Sequence, residues 1–219
     1  MNIQKIKLRD LGKVDYQFGI SIQKKIHDEF VNEAKILFLE HDKTITIGTK
    51  GGKEDILFSE EEIKKRGFKI IKSDRGGQVT IHNKGQLVCY LIVPIQKFKI
   101  KPVDFVRKIE ELIINFLKKY KISAAAIKGK TGVWIKEKNT ERKIAAIGVR
   151  ISNGVSMHGF ALNIDNNLND FNLIIPCGLE GSLVTSMANE ISIDLDKSLI
   201  KLKLIEEIEN IFDCEVIND

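Results

Sequence analysis

Cys177 stands in the run Ile174-Ile175-Pro176-Cys177-Gly178-Leu179. Proline and glycine on either side mark a turn rather than the middle of an element. A structural cysteine is usually a small apolar core residue, whereas turns lie at the surface, so this thiol is a candidate nucleophile. The other two cysteines fit the core reading. Cys89 lies inside Leu87-Val88-Cys89-Tyr90-Leu91, and Cys214 falls at the end of the last expected helix. Lys143 opens the run Lys143-Ile144-Ala145-Ala146-Ile147-Gly148-Val149-Arg150. Alone, it reads as a solvated lysine at a strand end. The small residues Ala145, Ala146 and Gly148 imply close packing there, by another backbone or by a ligand. Arg75-Gly76-Gly77 follows Asp74 between two strand-prone runs. Paired glycines let a backbone approach a ligand or take positive φ, although a lone Arg-Gly-Gly is more often a plain turn. His82 ends the next strand, where it either positions a substrate or is merely half-exposed. His158-Gly159, inside Met157–Asn163, again pairs a histidine with a glycine.

Other chemistries lack their signatures. There is no Gly-x-x-x-x-Gly-Lys-Ser/Thr phosphate loop, no His-Glu-x-x-His and no Gly-x-Ser-x-Gly. His27, His41, His82 and His158 are far apart in sequence, and nothing in the spacing argues for a metal. Three cysteines without zinc-ligand spacing exclude a disulfide framework in practice and suit reducing cytosol. No signal core and no run of 18 apolar residues is present, so a cytoplasmic protein that does not enter membranes is expected. In 219 residues, 35 Lys+Arg against 30 Asp+Glu give a net charge of +5. That mild excess favours an acidic partner without demanding nucleic acid.

These residues need elements to hold them. Length and composition suit a single domain over 1–219. Ile3–Leu8 reads as an edge strand. Phe18, Ile22, Ile26 and Phe30 share one side of a helix over about 15–34. Ile36–Glu40 reads as a buried strand with Thr44–Ile47 as its hairpin partner. Ser59 and Glu62 form a capping box that opens a short helix ending near Gly67. Strands are expected at 68–72, 78–82 and 86–94. Pro102 then opens a helix whose inner face is Val106, Ile109, Ile113, Phe116 and Leu117. The runs 132–136, 143–151 and 155–164 form an antiparallel meander, with Asn153-Gly154 as a type I′ turn between the last two. A final helix over 196–212 turns Leu199, Leu202, Ile205 and Ile208 inward. Helices and antiparallel strands mix without a βαβ rhythm, so the class is α+β, with a mixed, largely antiparallel sheet flanked by helices.

In order along the chain, the motifs are Arg75-Gly76-Gly77-Gln78-Val79-Thr80-Ile81-His82, Gly85-Gln86-Leu87-Val88, Gly132-Val133-Trp134, Lys143 to Arg150, His158-Gly159-Phe160-Ala161-Leu162-Asn163 and Pro176-Cys177-Gly178. Together, over roughly residues 8–187, they resemble the octanoyltransferases of lipoate biosynthesis, the lipoate-protein ligase B family. The resemblance implies the fold of the biotin and lipoate ligases. It implies transfer of an octanoyl group from octanoyl-acyl carrier protein to a lysine of lipoyl domains, the first step of endogenous protein lipoylation. The acceptors would be lipoyl domains of 2-oxoacid dehydrogenase complexes and the glycine cleavage H protein, with no cofactor, no metal, no nucleic acid and no membrane. By the same resemblance Cys177 carries the acyl group and Lys143 assists it. Arg75, Gly76, Gly77, Gln78, Val79, Thr80, Ile81 and His82 then line the acyl site, as do Ala146, Ile147, Gly148, Gly159, Phe160 and Ala161. One departure is visible: the family usually reads Tyr-His-Gly-Pro-Gly-Gln where this chain has Ile81-His82-Asn83-Lys84-Gly85-Gln86. The charged stretch 136–142 carries nothing over.

The chemistry is self-consistent. A thioester exchanges onto a thiol without change of bond type, and transfer on to an amine runs downhill to an amide, so ATP is not needed. A free thiol of pKa about 8.5 is little ionised at neutral pH, and a neighbouring ammonium corrects that. Basic runs at 64–66, at Lys97, Lys99 and Lys101, and at Lys128 and Lys130 either dock acidic partners or are solvated faces. An ATP-dependent lipoate ligase of the same fold is the nearest rival, but it needs no cysteine. A non-catalytic RNA-binding module is the rival from another class, and the 7% aromatic content argues against base stacking.

Overall fold

The computed structural model describes residues 3–29, 33–138, 140–175 and 183–219. A large sheet and a small sheet face each other, with helices on the outside. The large sheet is built from β1 (Gln4–Val14), β2 (Ala34–His41), β6 (Gln86–Ile92), β7 (Ala125–Ile127), β8 (Lys130–Glu137), β9 (Thr140–Ser152), β10 (Val155–Asn163), β11 (Leu183–Val184) and β12 (Cys214–Asn218). Its order is β12-β1-β2-β6-β10-β9-β8-β7. The small sheet is β3 (Thr44–Ile47) between β4 (Lys69–Lys72) and β5 (Val79–His82). Pairing is antiparallel through the centre of the large sheet and parallel where β1 meets β2 and β12. The expected mixed α+β class is therefore found.

Each face of the large sheet has its own cover. On one face Phe38, Cys89, Leu91, Ile147, Phe160 and Leu162 form a core with helices α3 (Pro102–Lys118) and α5 (Lys197–Phe212). Pro102 occupies the first turn of α3 as expected, and Ile109, Ile113, Phe116 and Leu117 are buried. On the other face Leu37, Leu39, Val88, Tyr90 and Ala161 pack with Ile26 of α1 (Tyr16–Glu29). A third core, around Ile45, Ile63, Phe68 and Ile81, lies under the small sheet and joins it to α2 (Glu60–Lys65). In α2 the Ser59–Glu62 capping box forms as expected.

Several expectations need correction. β1 is not an edge strand, because β12 pairs along its outer side. Thr44–Ile47 is no hairpin partner of β2: the short connection carries the chain from the large sheet to the small one, where β3 pairs with β4 and β5. Helix α1 spans Tyr16–Glu29, and Ala34, expected at its end, opens β2; its buried residues are Tyr16, Gly19, Gln23 and Ile26, while Phe18 is 55% exposed and Phe30 lies outside the described residues. Of the expected stripe, Ile26 is buried and Ile22 packs partly against the core, while the rest of the inner face carries a glycine and a glutamine that a search for large apolar residues passes over. In α5, Ile200, Leu204 and Ile208 are buried whereas Leu199 and Leu202 are exposed. Cys214 begins a strand rather than ending the helix. A short helix, α4 (Met187–Glu190), follows β11. Among the described residues, no helix is long and apolar enough to cross a membrane.

Candidate active site

Two cross-strand rows of the large sheet, Tyr90–Gly159–Gly148 and Val88–Ala161–Ala146, lie side by side. Small residues at four of these six positions leave the sheet surface hollow. The small sheet and the loop before β5 roof the hollow, enclosing a cavity of about 450 Å³. Arg75, Gly76, Gly77, Gln78, Val79, Thr80 and His82 line it from the roof. Ala146, Ile147, Gly148, Gly159, Phe160 and Ala161 line it from the large sheet, as does Lys143. Ile81, named with them from the sequence, does not line the cavity: it is fully buried in the core under the small sheet. Cys177 lies outside the described residues.

The roof is fixed by Arg75. Its buried guanidinium donates to the Thr46 carbonyl (2.7 Å), the Thr46 hydroxyl (2.8 Å) and the Gln78 carbonyl (2.7 Å), so the loop is bolted to β3. An Arg-Gly-Gly held this way is part of a wall, not a mobile patch for nucleic acid. The Gly76 N–H donates to the Val149 carbonyl (3.3 Å), which docks the roof onto the large sheet. At Gly148 a side chain would place its Cβ 2.7 Å from the Gly76 carbonyl oxygen. Backbone, rather than ligand, is therefore what requires glycine at 148, whereas Ala146 faces the cavity.

Lys143 is aimed by an irregularity. Val133 pairs with Ala145 but Trp134 pairs with Lys143, so β9 carries an extra residue, a β-bulge, at Ile144. Bulges re-aim side chains next to active sites. Lys143 is buried, and its Nζ lies 4.6 Å from the centre of the Trp134 ring, a cation–π contact. Gly132 makes room for it. At φ +123, a conformation that favours glycine, its absent Cβ would lie 2.7 Å from the Ala145 carbonyl and 3.3 Å from Lys143 Cε. β11 takes over from β10 beside this end of β9, Leu183 pairing with Arg142 and Val184 with Lys143.

Along β10 a second polar group lines the cavity. His158 takes φ +60 in mid-strand, a strained conformation for a residue with a side chain. Its N–H donates to Gln23 Oε1, and its Nε2 bonds Asp74 Oδ1 (2.8 Å). Asp74 also pairs with Arg150. Burial lowers the His158 pKa, opposed by Asp74. Burial works against the Asp74 carboxylate, but His158 and Arg150 hold its pKa below the usual range. Behind the cavity wall, His41 accepts from the hydroxyl of the lining residue Tyr90 (2.7 Å) and donates to the Val14 carbonyl (3.1 Å), and burial pushes its pKa down to about 4. Tyr16, Tyr90 and Trp134 line the cavity. Trp134 lies within the Gly132-Val133-Trp134 motif, but nothing in local sequence marks the two tyrosines. The buried Cys89 thiol is pushed well up, and Cys214 to about 12, both by burial. Among the described residues no group of His, Cys, Asp and Glu is arranged to hold a metal ion.

The fold is thus layered α+β, with a cavity hollowed by small residues and Lys143 in its lining. The lipoyl protein ligase A/B catalytic domain matches residues 15–209, and the chain belongs to that family. It is 34% identical to the octanoyltransferase of Flavobacterium johnsoniae, over 98% of this chain and 99% of that one. Lipoate-protein ligase A bound with ATP superposes with a TM-score of 0.79, covering 100% of this chain and 89% of the other at 16% identity. The bipartite lipoate protein ligase of Thermoplasma acidophilum, solved as part of a study of that ligase and its E2 lipoyl domain, gives 0.73, covering 100% and 87% at 17% identity. The chain is an acyltransferase of the octanoyltransferase branch, and its chemistry is lipoyl or octanoyl transfer.

Proposed function

We propose that this chain moves an octanoyl group from acyl carrier protein to a lysine of lipoyl domains through a thioester on Cys177. The observation that carries the reading is the cavity itself: it is hollowed by small side chains and lined by a buried lysine, with β11, just after the segment that holds Cys177, paired to that lysine's strand. The likeness to a ligase studied with its lipoyl domain supports the acceptor. In the first half-reaction the Cys177 thiolate attacks the donor carbonyl, the new C–S bond forms, and the carrier's sulfur leaves and is protonated. In the second, the acceptor amine attacks, the C–N bond forms and the C–S bond to Cys177 breaks. Lys143 supplies the cation that favours the thiolate. Arg75–Thr80 and His82 hold the roof over the acyl chain, and Ala146–Gly148 and Gly159–Ala161 form its floor.

Intact-mass measurement after mixing with octanoyl-acyl carrier protein tests this. One octanoyl mass is expected without ATP, retained in Cys89→Ala and Cys214→Ala and lost in Cys177→Ala. A requirement for ATP would instead assign the lipoate-ligase reaction. An adduct that survives in Cys177→Ala overturns the nucleophile.

A further inference from the structure

Hydrogen bonding fixes the tautomer of His82. The chain of bonds starts at the Thr185 carbonyl, which can only accept. Asn163 Nδ2 donates to it (2.9 Å), so Asn163 Oδ1 is an acceptor. Gln86 Nε2 donates to that oxygen (2.9 Å) and to the Ile81 carbonyl (3.1 Å). Both of its donors are thus used, and Gln86 Oε1 must accept. The group that reaches it is His82 Nδ1, at 2.7 Å. Nδ1 therefore carries the hydrogen, and in a neutral ring Nε2 carries a bare lone pair. The ring stays neutral, because burial, and then the neighbouring His41 and Arg75, push its pKa well below the ordinary 6.5. His82 lines the cavity, and among the described residues none hydrogen-bonds Nε2.

The residues that hold His82 lie level with the Lys143 end of β9. Gln86 pairs with Asn163, and Leu162 next to it pairs with Ala145 of β9. That sets the Gln86 backbone about two strand spacings, ~10 Å, from β9, while the His82 ring itself stacks on Tyr16 and lies edge-on to His41. Thr185, where the relay begins, also donates its N–H to the Lys143 carbonyl (2.9 Å). A continuous hydrogen-bonded path joins the two residues.

We propose that His82 Nε2 is the hydrogen-bond acceptor for the attacking lysine amine, with Gln86 and Asn163 as positioning residues that hold its tautomer. This rests on the function proposed above. An amine attacks through its lone pair, and an acceptor on one N–H aims that lone pair at the thioester carbon. As the C–N bond forms and the C–S bond breaks, the surplus proton on nitrogen crosses this bond to Nε2, and the imidazolium so formed, disfavoured by its burial, gives it up to the Cys177 sulfur, restoring the thiol and the neutral ring. Acylation of Cys177 involves no amine, so the second half-reaction is the one that depends on Nε2.

Two substitutions separate this role from a structural one. His82→Asn keeps a polar atom near Nδ1, and with it the bond to Gln86, but removes the acceptor at Nε2. His82→Gln does the reverse. Rapid-quench intact mass follows uptake of octanoyl from octanoyl-acyl carrier protein and its discharge onto a lipoyl domain. In His82→Asn the ratio of discharge to uptake is expected to fall by about a hundredfold, the usual size of acid–base assistance. His82→Gln should recover part of it. Gln86→Leu, which releases the tautomer, should lower the same ratio and serves if His82→Asn fails to fold. Equal losses in both half-reactions, with Gln no better than Asn, would show a structural role and overturn the assignment. Wild-type discharge in His82→Asn overturns it alone, whereas a wild-type protein that never takes up octanoyl removes the reading beneath it as well.

Discussion

Ala146 and Gly148 lie two residues apart on one face of β9, yet different neighbours constrain them. The carbonyl of Gly76 crowds Gly148, so Gly148→Val must shift the roof loop and should destabilise the fold by about 1–3 kcal/mol, read by urea unfolding. Ala146 faces the cavity, so Ala146→Val should leave unfolding nearly unchanged while weakening acyl uptake tenfold or more, roughly what overpacking by a methyl or two costs. Equal unfolding midpoints for the two variants would contradict this division. The sequence left backbone and ligand open as explanations for these small residues, and both turn out to apply. Lys143 belongs to the same scale. If its ammonium favours the Cys177 thiolate, Lys143→Met in a Cys89- and Cys214-free background should move iodoacetamide alkylation to higher pH and slow acyl transfer by at least about a hundredfold. An unmoved alkylation profile would uncouple the pair. Lys143→Arg keeps the positive charge, so alkylation at neutral pH should persist.

At the scale of elements, legibility followed the strength of the local signal. The Ser59–Glu62 box and Pro102 announced α2 and α3 because capping is a property of a few adjacent residues. The turn Asn153-Gly154 was equally local, and both residues do take positive φ. Helix α5 was misphased because apolar residues occur nearly all round it, leaving two plausible inner faces. Burial decides: Leu204→Ala should cost about 2–5 kcal/mol and Leu202→Ala within about 0.5 kcal/mol, measured by urea unfolding. Comparable losses would mean that Leu202 is covered in solution. The bulge at Ile144 could not be foreseen, since it exists only relative to β8. The buried relay from Thr185 to His82 joins residues up to 103 apart by hydrogen bonds that polar residue types do not announce.

For the whole molecule, the decisive arrangement is the facing of two sheets, which no stretch of sequence encodes. The motifs named the walls of the cavity in chain order, but not that 75–82 and 146–161 oppose one another. The closed layers also bury three histidines. Those of His41, His82 and His158 all have lowered pKa values, so the unfolded chain binds protons that the native one refuses. Stability is then fully present above about pH 6.5 and falls as pH drops. For His41, lowered from 6.5 to about 4, the loss is of order 3 kcal/mol by pH 4. Urea unfolding at stepped pH should show this slope, and His41→Gln should flatten part of it. A stability that is level between pH 6.5 and 4 would show that these rings are not buried neutral.

The five residues of β12 lie along Gln4–Leu8 of β1. The Asp219 N–H donates to the Leu8 carbonyl, and its carboxylate meets Lys35 and Arg9. An eleven-residue strand such as β1, left bare, is a template on which other chains can add. The last strand covers half of it and presents a short, charged margin instead. A chain cut after Asp213 would keep every residue of the cavity and yet expose that template. It should self-associate in a concentration-dependent way, visible by light scattering, before its catalytic chemistry is lost.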